Sequence, residues 1–191
     1  FNTLELQTDP RGFATLWLSR EEKNNAFNAE MIRELILALD AVQSDASLRF
    51  LVLRGRGKHF SAGADLAWMQ QSAELDYNTN LDDARHLAEL MYNLAKLKMP
   101  TLAVVQGAAY GGALGLISAC DMRYAAEDAQ FSIKEIDMGM AADVGTLQRL
   151  PRIIGDGMLR EMAYTGRMVG AEEARAIGLV NRVYPDHEAL L

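Results

Sequence analysis

One run, Gly107-Ala-Ala-Tyr-Gly-Gly-Ala-Leu-Gly115, constrains the fold more than any other stretch of the chain. It follows an apolar run, residues 101–106, that reads as a buried strand. It precedes a small-residue run, residues 116–120, that reads as a tightly packed helix. Four glycines in nine residues let backbone approach backbone closely and leave amide N–H groups uncovered. N–H groups at the start of a helix also carry the positive end of its dipole. A strand–turn–helix passage of this kind suits a phosphate, or an oxyanion formed during a reaction. Close packing without a ligand is the plain alternative.

The rest of the chain alternates strand-like and helix-like stretches. Residues 13–18 alternate in polarity and are rich in strand formers, after a turn at residues 10–12. Residues 19–28 read as a loop. Residues 29–42 show helical spacing, with Met31, Leu35, Leu39 and Val42 on one face and Asn28 as N-cap. Residues 50–53 form a short apolar strand, and residues 55–57 turn the chain. Residues 65–69 open a short helix, residues 72–80 are polar and loop-like, and residues 82–97 form a long helix with Leu87, Leu90, Met91 and Leu94 inward. Strands are expected at residues 121–125, 129–133 and 179–184. Helices are expected at residues 144–150, stopped by Pro151, and at 156–164 and 172–176, with Gly178 as a C-terminal glycine. This order implies an α/β fold of strand–strand–helix units with right-handed crossovers. No fixed-period repeat or low-complexity linker interrupts it, so residues 1–191 read as a single domain, a length that can bury a sizeable core.

Composition narrows the function classes. Half the residues are apolar and 24% are charged, with a net charge of −7. That balance, with no Lys/Arg run, argues against nucleic acid as partner. A local positive patch for an anionic ligand is still open, with Lys23, Arg54, Arg56 and Lys58 as candidates beside their plainer role on a solvated face. Cys120 is the only cysteine, so no internal disulfide can form, and its apolar neighbours suggest a buried, inert thiol. No run of 18 apolar residues exists, which argues against a membrane span. No targeting signal is visible, so the expected setting is cytoplasmic. The chain begins at Phe1, as a processed or partial product does. His59, His86 and His187 are scattered without metal-ligand spacing, Ser118 and Ser132 lack a nucleophile motif, and Arg54-Gly-Arg-Gly-Lys58 lacks a full phosphate-loop pattern. The ten methionines read as core filling.

Two further stretches give the glycine run a context. They are His59-Phe-Ser-Ala-Gly-Ala-Asp-Leu66 and the segment from Phe131-Ser-Ile-Lys-Glu135 through Asp143 to Pro151. With these three in order, the chain resembles the enoyl-CoA hydratase/isomerase (crotonase) family from about Thr3 to Tyr184. The resemblance implies a crotonase-like (ClpP/crotonase) spiral of ββα turns. Related chains carry a further helical segment after the last strand, which is expected to be absent here or to lie beyond Leu191. A homotrimer or dimer of trimers is expected on the same ground, with an acyl-CoA thioester as substrate and no cofactor, because coenzyme A is part of the substrate.

By the same resemblance, the backbone N–H groups of Ala64 and Gly112 form an oxyanion hole for the thioester oxygen. Ala62, Gly63, Ala64, Asp65, Leu66 and Gly112 line the substrate site. Glu135 occupies the position of a family acid, and Asp143, eight residues on, matches the Δ3,5-Δ2,4-dienoyl-CoA isomerases, where hydratases have glycine. Asp143 is then expected to remove a proton beside the thioester carbonyl and Glu135 to return one at the far end of the diene. Asp137 is read as a plain surface charge. One departure stands out. Six residues before Asp121, where hydratases carry Glu and dienoyl isomerases Asp, this chain has Gly115. The half before about residue 129 resembles the methylglutaconyl-type hydratases and the half after it the isomerases, as in a natural mosaic or a hybrid. The expected activity is 3,5- to 2,4-dienoyl-CoA isomerisation in fatty acid degradation. The alternatives are hydration of branched or methylglutaconyl-type CoA esters and acyl-CoA binding without turnover.

Overall fold

The computed structural model describes residues 1–186 and 188–189, so His187 of the histidine set lies outside the described residues. Its strands fall into two sheets. The larger has the order β1 (Leu4–Asp9), β2 (Phe13–Leu18), β3 (Phe50–Gly55), β4 (Thr101–Val105), β6 (Met122–Ala126), β9 (Arg182–Tyr184), and the smaller β5 (Ala108–Tyr110), β7 (Gln130–Ser132), β8 (Val169–Gly170). Strand β1 (Leu4–Asp9) pairs antiparallel with β2 (Phe13–Leu18) in the register Leu4 to Leu18. The hairpin closes at Gly12, whose N–H donates to the Asp9 carbonyl at 2.9 Å with φ at +88°. Leu4-Glu-Leu-Gln-Thr-Asp9 alternates apolar and polar, the period-2 pattern of a half-buried strand.

From β2 the large sheet is parallel throughout: β3 (Phe50–Gly55), β4 (Thr101–Val105), β6 (Met122–Ala126) and β9 (Arg182–Tyr184) follow in spatial order. A parallel sheet is covered on both faces, and its central strands are accordingly apolar, as in Thr101-Leu-Ala-Val-Val105. The crossover from β2 to β3 is α1 (Ala29–Ser44). The Asn28 side chain caps it by accepting the Met31 N–H at 2.9 Å, and Met31, Ile32, Leu35, Ala38, Leu39 and Val42 face inward. Helix α1 packs against α3 (Tyr77–Ala95) through the buried Leu90, Met91 and Leu94 of the latter. Each such leucine removed from water stabilises the fold by about 1.5–3 kcal/mol. Helix α3 starts five residues before the expected 82, because Asp76 accepts the N–H groups of Asn78 and Thr79 and so ends the preceding loop.

The small sheet makes the spiral. Strand β4 runs into Gly107, and the chain then enters β5 (Ala108–Tyr110) in the second sheet. Helix α4 (Gly112–Ser118) returns it to β6, and β7 (Gln130–Ser132) pairs parallel with β5. Strand β8 (Val169–Gly170) adds an antiparallel edge to β7. The helix expected at residues 116–120 therefore begins at Gly112, inside the glycine run, where Gly111 at φ +54° turns the chain.

The last third holds a 3-10 turn (Lys134–Met138), α5 (Thr146–Ile154), α6 (Asp156–Thr165) and α7 (Ala171–Ala176). Pro151 does not stop a helix as expected: α5 runs through it to Ile154. The end comes instead at Gly155, whose N–H donates to the Pro151 carbonyl at 3.1 Å while its φ of +80° turns the chain into α6. Proline removes one N–H donor, and the burial of Leu150 and Ile154 on either side holds the helix despite that loss. Among the described residues, no helix is long and apolar enough to cross a membrane.

Candidate active site

A cleft of about 790 Å³ opens where α2 (Leu66–Ser72), α3, the start of α4 and the 134–144 segment meet. Ala62, Ala64, Asp65, Leu66 and Gly112 line it, as do both acids singled out in the sequence, Glu135 and Asp143. Gly63 lies just behind this lining, packed on the glycine run.

Strand pairing brings the two glycine-containing stretches together. Ser61 bridges Ala109 in parallel: its N–H donates to the Ala108 carbonyl at 3.0 Å, and its carbonyl accepts the Tyr110 N–H at 3.1 Å. That register sets Gly63 beside Tyr110 and Gly112. A Cβ on Gly63 would lie 2.6 Å from the Tyr110 carbonyl oxygen and 3.5 Å from the Gly112 nitrogen, and the Gly63 φ is +91°. Only glycine fits this conformation and this approach. On its other side the segment pairs with Phe27, whose N–H donates to the Gly63 carbonyl at 2.7 Å and whose carbonyl accepts the Asp65 N–H at 2.8 Å.

These pairings use up the amides on either side of Ala64 and the one before Gly112 along the two paired stretches. The Ala62 N–H donates to Asn24 (2.9 Å), the Gly63 N–H to Ser61 Oγ (3.2 Å) and the Gly111 N–H to Ser132 (3.0 Å). Among the described residues, the N–H groups of Ala64 and Gly112 donate to no protein acceptor. Both residues border the cleft. Two free N–H donors on adjacent backbones are the arrangement an oxyanion requires.

Asp65 borders the cleft, but its carboxylate is committed elsewhere. It accepts the N–H groups of Ala67 (2.9 Å) and Trp68 (3.4 Å), capping α2, and pairs with Arg20 at 2.9 Å. Arg20 also donates to the Ala26 carbonyl at 2.7 Å, so the pair ties residues 20–27 to the Ala64 turn. Burial alone would push the Asp65 carboxyl up, but the hydrogen bonds from Arg20, Trp68 and Ala67 outweigh it and hold the group below its ordinary value.

Glu135 stands at the first turn of the 3-10 segment and is 6% exposed. Its carboxylate packs over the glycine run: a Cβ on Gly111 would lie 3.4 Å from Oε1. Its Oε2 is buried and, among the described residues, has no hydrogen-bond partner. Burial pushes the Glu135 carboxyl above its ordinary value, and the negative charge of Asp143 adds to that effect. Asp143 sits on the opposite lip with more of its surface open to water, and the cleft walls still push its carboxyl upward by desolvation. Two carboxyls thus share a partly dry cleft, and burial pushes both above their ordinary values.

Other candidates resolve into structural roles. Arg54 and Arg56 do not form an anion patch: their guanidinium groups stack on the Trp17 ring at 4.6 and 3.9 Å, and Arg56 pairs with Glu5. Lys23 does border the cleft, together with Lys134, which pairs with Asp137 at 2.9 Å. His59 Nδ1 accepts the Ala108 N–H at 3.0 Å, a packing role, and burial lowers its pKa. Ser118 and Ser132 donate to the backbone carbonyls of Gly115 and Gly166. Met31, Met91 and Met162 fill the core as expected, whereas Met69, Met138 and Met140 line the cleft, a use that their spacing did not signal. Among the described residues, no group of three or more His, Cys, Asp or Glu side chains could hold a metal ion.

Known proteins share this architecture. The chain is 38% identical over 202 residues to the mitochondrial Delta(3,5)-Delta(2,4)-dienoyl-CoA isomerase of Pongo abelii, an alignment covering all of this chain and 61% of that protein. It is 37% identical over 182 residues to the crotonyl-CoA hydratase of Syntrophomonas wolfei, covering 93% of this chain and 67% of the relative. The crystal structure of an enoyl-CoA hydratase from Shewanella pealeana superposes with a TM-score of 0.92 at 37% identity, covering 98% of this chain and 70% of that one. The chain spans about three fifths of the length of that dienoyl-CoA isomerase. The sequence profile of the enoyl-CoA hydratase/isomerase family matches residues 8–191, and the chain belongs to that family.

Proposed function

We propose that the protein isomerises 3,5-dienoyl-CoA thioesters to 2,4-dienoyl-CoA thioesters. The observation that carries the reading is the pair of acids, Glu135 and Asp143, facing one cleft with the free amides of Ala64 and Gly112. Similarity to named dienoyl-CoA isomerases supports the same choice.

The thioester oxygen accepts the N–H groups of Ala64 and Gly112. Asp143, the acid more open to water, is ionised and removes a proton from C2. The resulting charge spreads over the thioester oxygen, C2, C4 and C6 as an extended enolate, stabilised by the two amides. Glu135, whose burial favours its protonated form, delivers a proton to C6. The double bonds at C3 and C5 become double bonds at C2 and C4. One proton enters and one leaves, and exchange between the acids and water resets the site. No cofactor is required. A trimer or a dimer of trimers and a cytoplasmic setting complete the proposal, although several relatives carry "mitochondrial" in their names.

The roles separate in deuterium oxide. Wild type should place deuterium at C6 of the product. Asp143→Asn should stop both C2 exchange and turnover, whereas Glu135→Gln should keep C2 exchange and lose C6 labelling. Labelling at C6 that survives Glu135→Gln contradicts the assignment.

A second reading, hydration of a branched or methylglutaconyl-type thioester, draws on the similarity to a crotonyl-CoA hydratase. It requires a second acid to place water with Glu135, and it predicts that Asp143→Asn spares the activity. Tight thioester binding by calorimetry, with neither reaction, would instead favour a silent acyl-CoA-binding protein.

A further inference from the structure

Gly115 lies in the middle of α4, is buried and has no positive φ. What distinguishes it is what presses on it. A Cβ there would lie 2.5 Å from the Val144 carbonyl oxygen, 3.0 Å from the Val144 Cβ and 3.2 Å from Thr146 Oγ1. The first contact is with backbone, which cannot swing away as the end of a side chain can. The Asp143–Thr146 turn therefore rests directly on the helix surface, in the space that a side chain at position 115 would occupy.

That turn is unusual. The Thr146 N–H donates to the Asp143 carbonyl at 2.9 Å, and the two central residues, Val144 and Gly145, have φ of +54° and +75°. Positive φ at both central positions marks a type I′ turn, which glycine, asparagine and aspartate favour and a β-branched residue resists. Val144 is one of three non-glycine residues with positive φ among the described residues, and the other two are asparagines. A bulky residue persists in this region only where its surroundings hold it there. Here the surroundings are the bare surface of α4 at Gly115 beneath and the ring of Phe27 nearby: a Cβ on Gly112 would sit 3.6 Å from both Phe27 and Val144 side-chain atoms.

We infer that Gly115 is a positioning residue: by offering no side chain, it seats the strained Val144–Gly145 turn on α4 and so holds Asp143 at the lip of the cleft facing Glu135. In this chain the Asp143–Thr146 turn fills the space that a side chain at position 115 would need, and the two acids facing the cleft both come from the segment after β7. The inference rests on the isomerase reading only for its kinetic consequence, not for its geometry.

The test is the titration of Asp143 by carboxyl carbon NMR, in the full chain, in wild type, Gly115→Ala and Gly157→Ala. The charged groups sharing the cleft with Asp143 are Glu22, Lys23, Asp65, Asp83, Lys134, Glu135 and Asp137, and all are retained in these variants. Gly157 lies in α6 with open space where a Cβ would go, so its variant controls for adding a methyl group to a helix. In Gly115→Ala the Asp143 midpoint should fall toward the ordinary aspartate value and the Glu135 midpoint should fall with it. With a dienoyl-CoA substrate, kcat should drop at least about tenfold while KM changes less than about twofold. Gly157→Ala should match wild type in both. An unchanged Asp143 midpoint in folded Gly115→Ala overturns the inference. If Gly115→Ala does not fold, Val144→Gly decides. Glycine favours the positive φ, so the turn should stay seated, Tm should rise and the Asp143 midpoint should stay put. A midpoint that moves would mean that the Val144 side chain, not the backbone seat on Gly115, holds the acid. A wild-type protein without isomerase activity would refute the proposed function, while the titrations would still judge Gly115.

Discussion

The Arg20–Asp65 pair gives the sharpest energetic test of how the Ala64 amide is held. The two side chains are 14% and 12% exposed, their closest contact is 2.9 Å, and the nearby Glu22 is a looser partner for Arg20 at 3.8 Å. Removing one member of a buried pair costs about 3–5 kcal/mol, and an exposed pair is worth about 0–1 kcal/mol. This pair is mostly enclosed but borders the open cleft, so Arg20→Ala should destabilise by about 2–3 kcal/mol. Asp65→Ala should cost about 1 kcal/mol more, because it also removes the cap of α2. Urea denaturation of both single variants and the double variant gives the coupling energy, expected at about 1.5–2 kcal/mol. Because the Asp65 carboxyl is held below its ordinary value, the coupling should be fully present above that value, 3.8, and be lost as pH falls through the lower value in the folded protein. The functional consequence is a loosened Ala64 turn, read as a fall in kcat with any thioester turned over. A coupling below about 0.5 kcal/mol at neutral pH would refute the idea that this pair fastens the turn.

Three further outcomes follow from the same geometry. Glu135→Gln should raise Tm at pH 7–8, because it removes a buried carboxylate with an unpartnered Oε2; since burial raises the folded-state pKa, wild type loses stability as pH rises through it, and the gain should vanish below the ordinary value of 4.5. Cys120, buried and with its thiol pushed up to about 12 by burial, should resist a thiol reagent at pH 8 in the native state and react fully in urea. Leu35→Ala, in the centre of the buried face of α1, should cost about 2–5 kcal/mol by denaturant titration without moving the Asp143 titration.

Much of this molecule is legible in local chemistry, and the places where it is not share a cause. Helix α1 announces itself through Asn28 and the spacing of its apolar residues, and the cap is where the pattern puts it. Strands β5 and β8 have three and two residues, too short for periodicity: β5 forms where the chain leaves one sheet for another after Gly107, and β8 forms by pairing with β7. The change of sheet is a tertiary event, written only as a glycine. The start of α3 at Asp76 was readable in principle: an aspartate before Tyr-Asn-Thr is a cap, but the polar residues around it resemble a loop.

The acids show the same division. The spacing of Glu135 and Asp143 is visible in the sequence, and both face the cleft. The commitment of Asp65 to Arg20, 45 residues away, is not. The stacking of Arg54 and Arg56 on Trp17 likewise withdraws two cations that local sequence offered to a ligand. Long-range pairing, rather than residue type, decides which charges are available.

The central claim is a proton shuttle between Asp143 and Glu135 beneath the Ala64 and Gly112 amides. The most direct measurement is the ultraviolet absorbance of a 3,5-dienoyl-CoA thioester mixed with the protein, because conjugation of the diene with the thioester changes the spectrum as turnover proceeds. The account predicts that wild type produces this change and that Asp143→Asn, folded and still binding the thioester, does not. An equal rate in Asp143→Asn, or no spectral change in a wild-type protein that hydrates methylglutaconyl-CoA, would contradict it.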